Sequence, residues 1–360
     1  MAVRIGIPGS LLYFLYYPTW NTFFRELGAQ VISSGKTTRE MLDLGVKEAL
    51  ADACVPVKLY FGHVQALARQ VDYLFIPRVV CLNKETTYCP KFLGLPDMIR
   101  HSLKNVPEII DTRMDVREGW NALAGAYDRA GRALGAPVRL IRRAFQRAMA
   151  AERQFFSLLQ EGWQPAEAMQ MLEKGIRPGE KPPEGNPVFA VLGYPYIVHD
   201  QYISVGLLAR LKKMGIGVIT VENLPPKVLS RINLHLDKRL FWTLGDLVLR
   251  AHHFFLRQKT VDGVIHLTAF GCGPDSLVDK FMEMAAREHP DVPFMSLSVD
   301  EHSGEAGLAT RLEAFADMVK RKRCTVSAQG NFPPRGRILS QFQNVDGRSG
   351  QPGDPAPPSQ

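Results

Sequence analysis

A chain of 360 residues with 46% hydrophobic content can bury substantial cores, and its length favours two domains over one. The formal charge of +8 suggests a polyanionic partner, but much of the basic density lies in one stretch, "VRLIRRAFQRAMAAERQ" (138–154), and basic and aromatic residues are not interleaved as in a nucleic-acid module, which argues against nucleic acid. Five scattered cysteines argue against a disulfide scaffold, and no run of eighteen apolar residues supports a membrane span.

The N-terminal segment lacks a basic stretch followed by a long apolar core and a cleavage site, so the chain reads as cytoplasmic. "VRIGIP" reads as a strand and "YYPTWNTFFRELG" as an aromatic-rich helix ending at Gly28. "AQVISS", a helix in "TTREMLDLGVKEALA", a loop carrying Cys54, a helix in "KLYFGHVQALARQ" and the apolar strand "VDYLFIPRVV" follow. Short apolar strands alternating with helices predict a parallel sheet covered on both faces. Residues 114–176 have helical spacing with a break at Ala136-Pro137, which predicts a helical insertion. "RPGEKPPEGNP" (177–187) reads as a linker, and "VFAVLGYPY" opens a second α/β series. That series takes in a helix near 203–215, the strand "IGVITVE", long helical patterns over 226–258, the strand "VDGVIHLTAF" and a final strand–helix pair. The expected fold is α/β, with two flavodoxin- or Rossmann-like parallel-sheet domains at 1–113 and 188–327, and a disordered tail over 328–360.

Two phosphate-loop lookalikes fail on spacing. "SSGKTT" (33–38) follows a strand and precedes a helix, but Gln30 stands where the motif needs glycine, so its Ser and Thr read as helix caps. "GIPGS" (6–10) lacks the dinucleotide glycine pattern. Zinc lacks a C-x-x-C pair.

Three cysteines share a local grammar: "DACVPVK" at Cys54, "TYCPKFLGLP" at Cys89 and "FGCGPDS" at Cys272 each place proline one or two residues after sulfur. Proline is at home in the first turn of a helix, so these thiols are expected at helix N-termini just beyond strand ends. Free backbone donors and partial positive charge there favour a thiolate or an anionic cluster. Gly271 and Gly273 would let the backbone approach a bulky inorganic centre. Thiolates without histidines select iron-sulfur chemistry, and three of them leave one iron of a 4Fe-4S cluster open. Each cysteine alone also fits a small buried hydrophobe. Cys81 stands open as a fourth ligand or a packing residue, and Cys324 reads as structural.

"DEHSGEAG" offers two readings: Asp300 and Ser303 cap a helix, or Glu301 and His302 position or protonate a bound group. Lys58 and His63 read as solvent-facing. In the 138–154 helix, Leu140, Ile141, Phe145 and Met149 are expected to pack inward while the arginines form a charged face.

The runs "DACVPVKLYFGHV", "CPKFLGLP", "GYPYIVHD", "FGCGPDS" and "SVDEHSGEAGLATRLEAF" together resemble the 2-hydroxyacyl-CoA dehydratase family, in its acyl-CoA dehydratase activase-related branch. The resemblance implies paired flavodoxin-like domains, a cluster held by cysteines between them, and a partner ATPase of the actin-like fold that delivers an energised electron. Cys54, Cys89 and Cys272 take the cluster-ligand positions by motif. The chain departs from its relatives at Tyr194, where they usually carry histidine before the Pro-Tyr pair. It shows no actin-like ATPase domain of its own, which implies a separate ATP-dependent activase. The resemblance leaves open a related second subunit, or a homodimeric reductase with a larger fused cluster. The expected function is thus an iron-sulfur dehydratase or reductase component; the alternatives are a non-catalytic cluster carrier or electron-transfer scaffold, and a cluster-free α/β binding protein.

Overall fold

The computed structural model describes residues 2–175, 187–236 and 238–327. The expected tail, and all of the expected linker except Pro187, lie outside them. The chain is α/β, built on two four-stranded parallel sheets. The first joins β1 (Arg4–Ile7), β2 (Gln30–Ser33), β3 (Tyr73–Phe75) and β5 (Glu108–Ile110) in the order β2-β1-β3-β5. The second joins β7 (Val188–Gly193), β8 (Gly217–Ile219), β9 (Gly263–Ala269) and β10 (Phe294–Val299) in the order β10-β9-β7-β8. Both orders run outward from the first strand to the second, then cross to the other side, the doubly wound arrangement in which ligands sit beyond the carboxyl ends of the strands. Every residue of β7 and β9 is buried, as expected for central parallel strands written as unbroken apolar runs.

The run "VDYLFIPRVV" forms two strands where the sequence predicts one. Pro77 has no N–H to give the ladder, and the chain passes from β3 into β4 (Arg78–Cys81), which pairs with β6 (Arg113–Asp115) in a separate two-stranded ladder.

Helix α1 (Tyr13–Glu26) follows β1, while α2 (Arg39–Glu48) and α3 (Val55–Ala68) together link β2 to β3, and α4 (Pro90–Ser102) follows β4. The helical segment holds α5 (Trp120–Ala133), α6 (Val138–Gln160) and α7 (Pro165–Lys174), with Pro137 capping α6 where the break is predicted. On α6, Ile141, Ala144, Ala148 and Met149 are buried, Leu140 and Phe145 half-buried, and Arg139, Arg142, Arg143, Arg147 and Arg153 exposed. The buried stripe packs on α1, where the Thr19 hydroxyl donates to Glu152 at 2.9 Å, and α5 meets α1 through the Phe23 and Tyr127 rings at 4.8 Å.

The second sheet carries α8 (Pro195–Val198), α9 (Leu207–Lys213), α10 (Pro226–Ser230), α11 (Thr243–Gln258), α12 (Gly273–Glu288) and α13 (Glu305–Ser327). The helical pattern predicted over 226–258 is interrupted. Thr87 and Trp242 form a bridge, with Thr87 N–H donating to the Phe241 carbonyl at 3.0 Å and Thr243 N–H to the Thr87 carbonyl at 2.8 Å, which holds this stretch extended. Cys324 falls near the end of α13, beyond the residues whose side chains are described. No helix among the described residues is long and apolar enough to cross a membrane.

Candidate metal centre

Cys54, Cys89 and Cys272 are the capping residues of α3, α4 and α12, each with proline in the following turn and none making a side-chain cap bond. Their routes to that position differ. Cys272 lies three residues beyond β9, held by its N–H to the Ala269 carbonyl at 3.1 Å and by Phe270 N–H to Val299 at 2.9 Å. Cys89 ends the loop after β4, and that loop is fixed to the second sheet's side by Thr87 and by a 2.9 Å bond between the Thr86 and Thr243 hydroxyls. Cys54 departs from the expectation of a strand end: it closes a short turn between α2 and α3, because the chain makes a helix pair before returning to β3.

Gly271 brings the two halves together. Its φ of +77° disfavours any side chain, and a Cβ added there would lie 3.9 Å from the Cys54 Cα. A Cβ added at Gly273 would meet nothing within 4 Å, so the helix start after Cys272 is open. Electrostatics report the same proximity. Burial pushes the Cys54 thiol up, Lys91 pulls it down, and Cys89 adds to the rise. Burial, then Asp275, pushes Cys272 well above the ordinary thiol range, with Cys54 and Cys89 raising it further. Every pair within the trio therefore interacts. Among the described residues, no three His, Cys, Asp or Glu side chains are grouped as the ligands of a single ion would be. Thiolates that each hold a different iron of one cluster stand farther apart than thiolates sharing one ion.

Cys81 stands apart from the trio. It is fully buried, its sulfur donates to the Asn83 and Thr86 carbonyls, and its charged neighbours are Arg117 and Asp115. It anchors the turn that leads to Cys89.

Tyr194 caps α8 at the carboxyl end of β7, beside the Cys272 loop. Gly193 permits this crossing, since a Cβ there would lie 2.4 Å from the Leu267 carbonyl oxygen of β9. The Tyr194 hydroxyl is buried without a protein hydrogen-bond partner. Burial raises its pKa well above the ordinary value, followed by Asp275, Cys272, Cys89 and Cys54. It is a neutral donor among the three thiols.

Lys58 and His63 are not solvent-facing. Helix α3 is buried on nearly every side, so its polar groups take partners inside: Lys58 pairs with Glu301 from the loop after β10. His63 lies 2.7 Å from the Ser34 hydroxyl through Nδ1 and 2.9 Å from the Thr37 hydroxyl through Nε2, and Thr37 donates in turn to Asp200. Thr38 of the same loop caps α2 as predicted, accepting from Met41 N–H. Glu301 is thus occupied by Lys58, whose hydrogen bond holds its carboxyl below the usual range. His302 is exposed, and its N–H donates to Asp300 within the turn that Asp300 and Ser303 form ahead of α13.

Sequence reasoning missed His266, Asp279 and the role of Asp275. The available signal was one histidine inside "GVIHLTA", since a polar group on a fully buried strand must find a partner.

No curated protein matches the chain. The family model described as CoA enzyme activase uncharacterised domain (DUF2229) matches residues 4–224, a span that includes Cys54, Cys89 and Tyr194 and ends before Cys272. Because that span exceeds half of the 360 residues, the protein belongs to the CoA enzyme activase uncharacterised domain family.

Proposed function

We propose that this protein is a redox component of a CoA-dependent dehydratase or reductase, in which Cys54, Cys89 and Cys272 hold an iron-sulfur cluster, 4Fe-4S or a larger fused form, between the two sheets. The observation that carries the reading is the approach of three helix-capping thiols from both halves of the chain, with Cys89 raising the charge cost of Cys54, and Cys54 and Cys89 that of Cys272. Such a set gains from a bound cationic iron core, and its all-sulfur chemistry suits iron-sulfur centres better than hard cations. A bound cluster would supply one-electron transfer and, with three protein ligands, an iron open to substrate. The chain's own part is to present thiolates at helix N-termini, whose unused N–H groups favour negative charge, and to place the Tyr194 hydroxyl as a donor beside them. Electrons would come from a separate ATP-dependent activase of the actin-like fold, in keeping with the family to which the chain belongs.

The test is anaerobic purification with iron and acid-labile sulfide analysis of wild type and single variants. Cys54→Ala, Cys89→Ala and Cys272→Ala should each lose most of the iron, whereas Cys81→Ala should keep it. Iron-free wild-type protein from a host competent in cluster assembly would overturn the reading. Turnover of an acyl-CoA panel with reduced protein, activase and ATP separates a catalytic component from an electron carrier.

A further inference from the structure

Apart from the thiol site, a cavity of about 250 Å³ lies between the C-terminal half of α1 and α7. Pro18, Asn21 and Arg25 recur at helical spacing along one face of α1, and Met169, Leu172 and Glu173 do so on α7, so two helix faces form its walls. Pockets for drug-sized ligands run to about 300–1,000 Å³, so this one suits a smaller metabolite.

The ionisable groups in these walls are not paired with one another. Glu26 directs its carboxylate to Arg143 of α6 at 3.8 Å. Arg25, on α1, is exposed and makes no side-chain hydrogen bond or ion pair among the described residues, and Glu173, on α7, has no cationic partner among them. Asn21 is 6% exposed. Its amide NH2 reaches Glu173 Oε1 only at 3.5 Å, and its Oδ1 is buried with no protein partner, an acceptor short of a donor. Tyr17 stays a neutral hydroxyl in the same wall, because burial, then Tyr13 and Glu173, raise its pKa. Pro18, Met169 and Leu172 add an apolar surface.

One cation and one anion that line the same cavity without pairing are complementary to a ligand that carries both charges. A guanidinium takes a carboxylate through two parallel N–H donors, and an ammonium has three donors to divide between a carboxylate and an unmet amide oxygen. A ligand with a single charge would satisfy one wall and leave the other as it is. We propose that this cavity binds a small α-amino acid with an apolar side chain: its carboxylate on Arg25, its ammonium on Glu173 and the Asn21 oxygen, its side chain against Pro18, Met169 and Leu172. The site goes beyond the redox reading and does not depend on it, since no cysteine lines the cavity.

The experiment is isothermal titration of reduced, metal-free protein with L-leucine, L-methionine and L-phenylalanine, each beside the amine and the carboxylic acid that lack one of its two charges. At least one amino acid should bind saturably at one site per chain, with both of its analogues weaker by about tenfold or more, the worth of one charge-assisted hydrogen bond. Arg25→Met should weaken the amino acid by a similar factor and leave the amine as in wild type. Glu173→Gln should do the converse and spare the acid. Both side chains are exposed, so neither variant disturbs the fold. No binding by any of the three, an analogue as tight as its amino acid, or wild-type affinity in either variant would overturn the proposal. Iron content is read separately: an iron-free protein that binds the amino acid would sink the redox reading alone, and an iron-loaded protein that does not would sink this one alone.

Discussion

Replacing Tyr194 with phenylalanine removes one oxygen atom and leaves the ring, including its edge contact with Tyr196 at 5.7 Å. Tyr194 is 3% exposed, and that oxygen is buried with no protein partner. A buried hydroxyl without a partner costs roughly 1–3 kcal/mol. Tyr194→Phe should therefore stabilise the metal-free protein, by about 1 kcal/mol or more at the low end of that range. Equilibrium urea unfolding of reduced, metal-free wild type and variant measures this as a higher midpoint with an unchanged slope. Iron-loaded protein should respond in the opposite direction. If the hydroxyl donates to the bound group, losing that bond should hasten iron release to a chelator by about threefold to tenfold, the equivalent of ~1 kcal/mol. A variant that is less stable than wild type without metal would refute the reasoning, because the hydroxyl would then have a favourable partner in the metal-free state.

The alternation of strands and helices was legible because the central strands are buried on both faces and appear as apolar runs, as in "VFAVLG" and "GVIHLTA". The α6 periodicity was legible because one stripe packs on α1 and the rest meets water. Helix α3 defeated the same logic. It is buried on nearly all sides, so it has no polar face to announce itself, and Lys58 finds its partner 243 residues away. Local pattern does not encode such a pairing. The helix-start positions of the three thiols were readable through their shared proline spacing, but the route to Cys54 was not, because the α2–α3 turn takes it away from any strand end. His266 was hidden in an apolar strand, where only the requirement that buried charge be matched points to Asp275 and Asp279.

The buried histidines predict a stability optimum near neutral pH. Burial lowers His63 and His253 to about 4 and His252 to about 3, so below the ordinary value of 6.5 the unfolded chain binds protons that the folded chain refuses, and stability falls as pH drops from 6.5 toward 4. His266 acts oppositely: lifted to about 9, its contribution is complete below 6.5 and is lost as pH rises through 9. A urea midpoint that is flat between pH 4.5 and 9.5, a range set by those values, would contradict both signs. On α6, the exposed Arg142 and Arg147 offer a basic face to an acidic partner, so activase association should weaken with salt and in Arg142→Glu/Arg147→Glu; association indifferent to both would remove the face from docking. The last prediction concerns the Lys58–Glu301 pair, which joins α3 to the loop after β10 and so ties the Cys54 helix to the half of the chain that carries Cys272. The Lys58 side chain is 7% exposed and that of Glu301 20%, so the two partners are not equivalent. Glu301→Gln strands a buried ammonium, and breaking a buried pair in this way costs about 3–5 kcal/mol. Lys58→Met leaves a carboxylate that water partly reaches, and it should cost less. Both variants loosen the same junction, so both should also release iron faster than wild type. The exposed Arg4–Asp72 pair provides the control: Arg4→Met should leave both stability and iron retention nearly unchanged. Equal losses from Glu301→Gln and Arg4→Met would mean that the clasp contributes nothing particular to the site. A loss of stability with iron retention intact would mean that Cys54 is held by the α2–α3 pair alone.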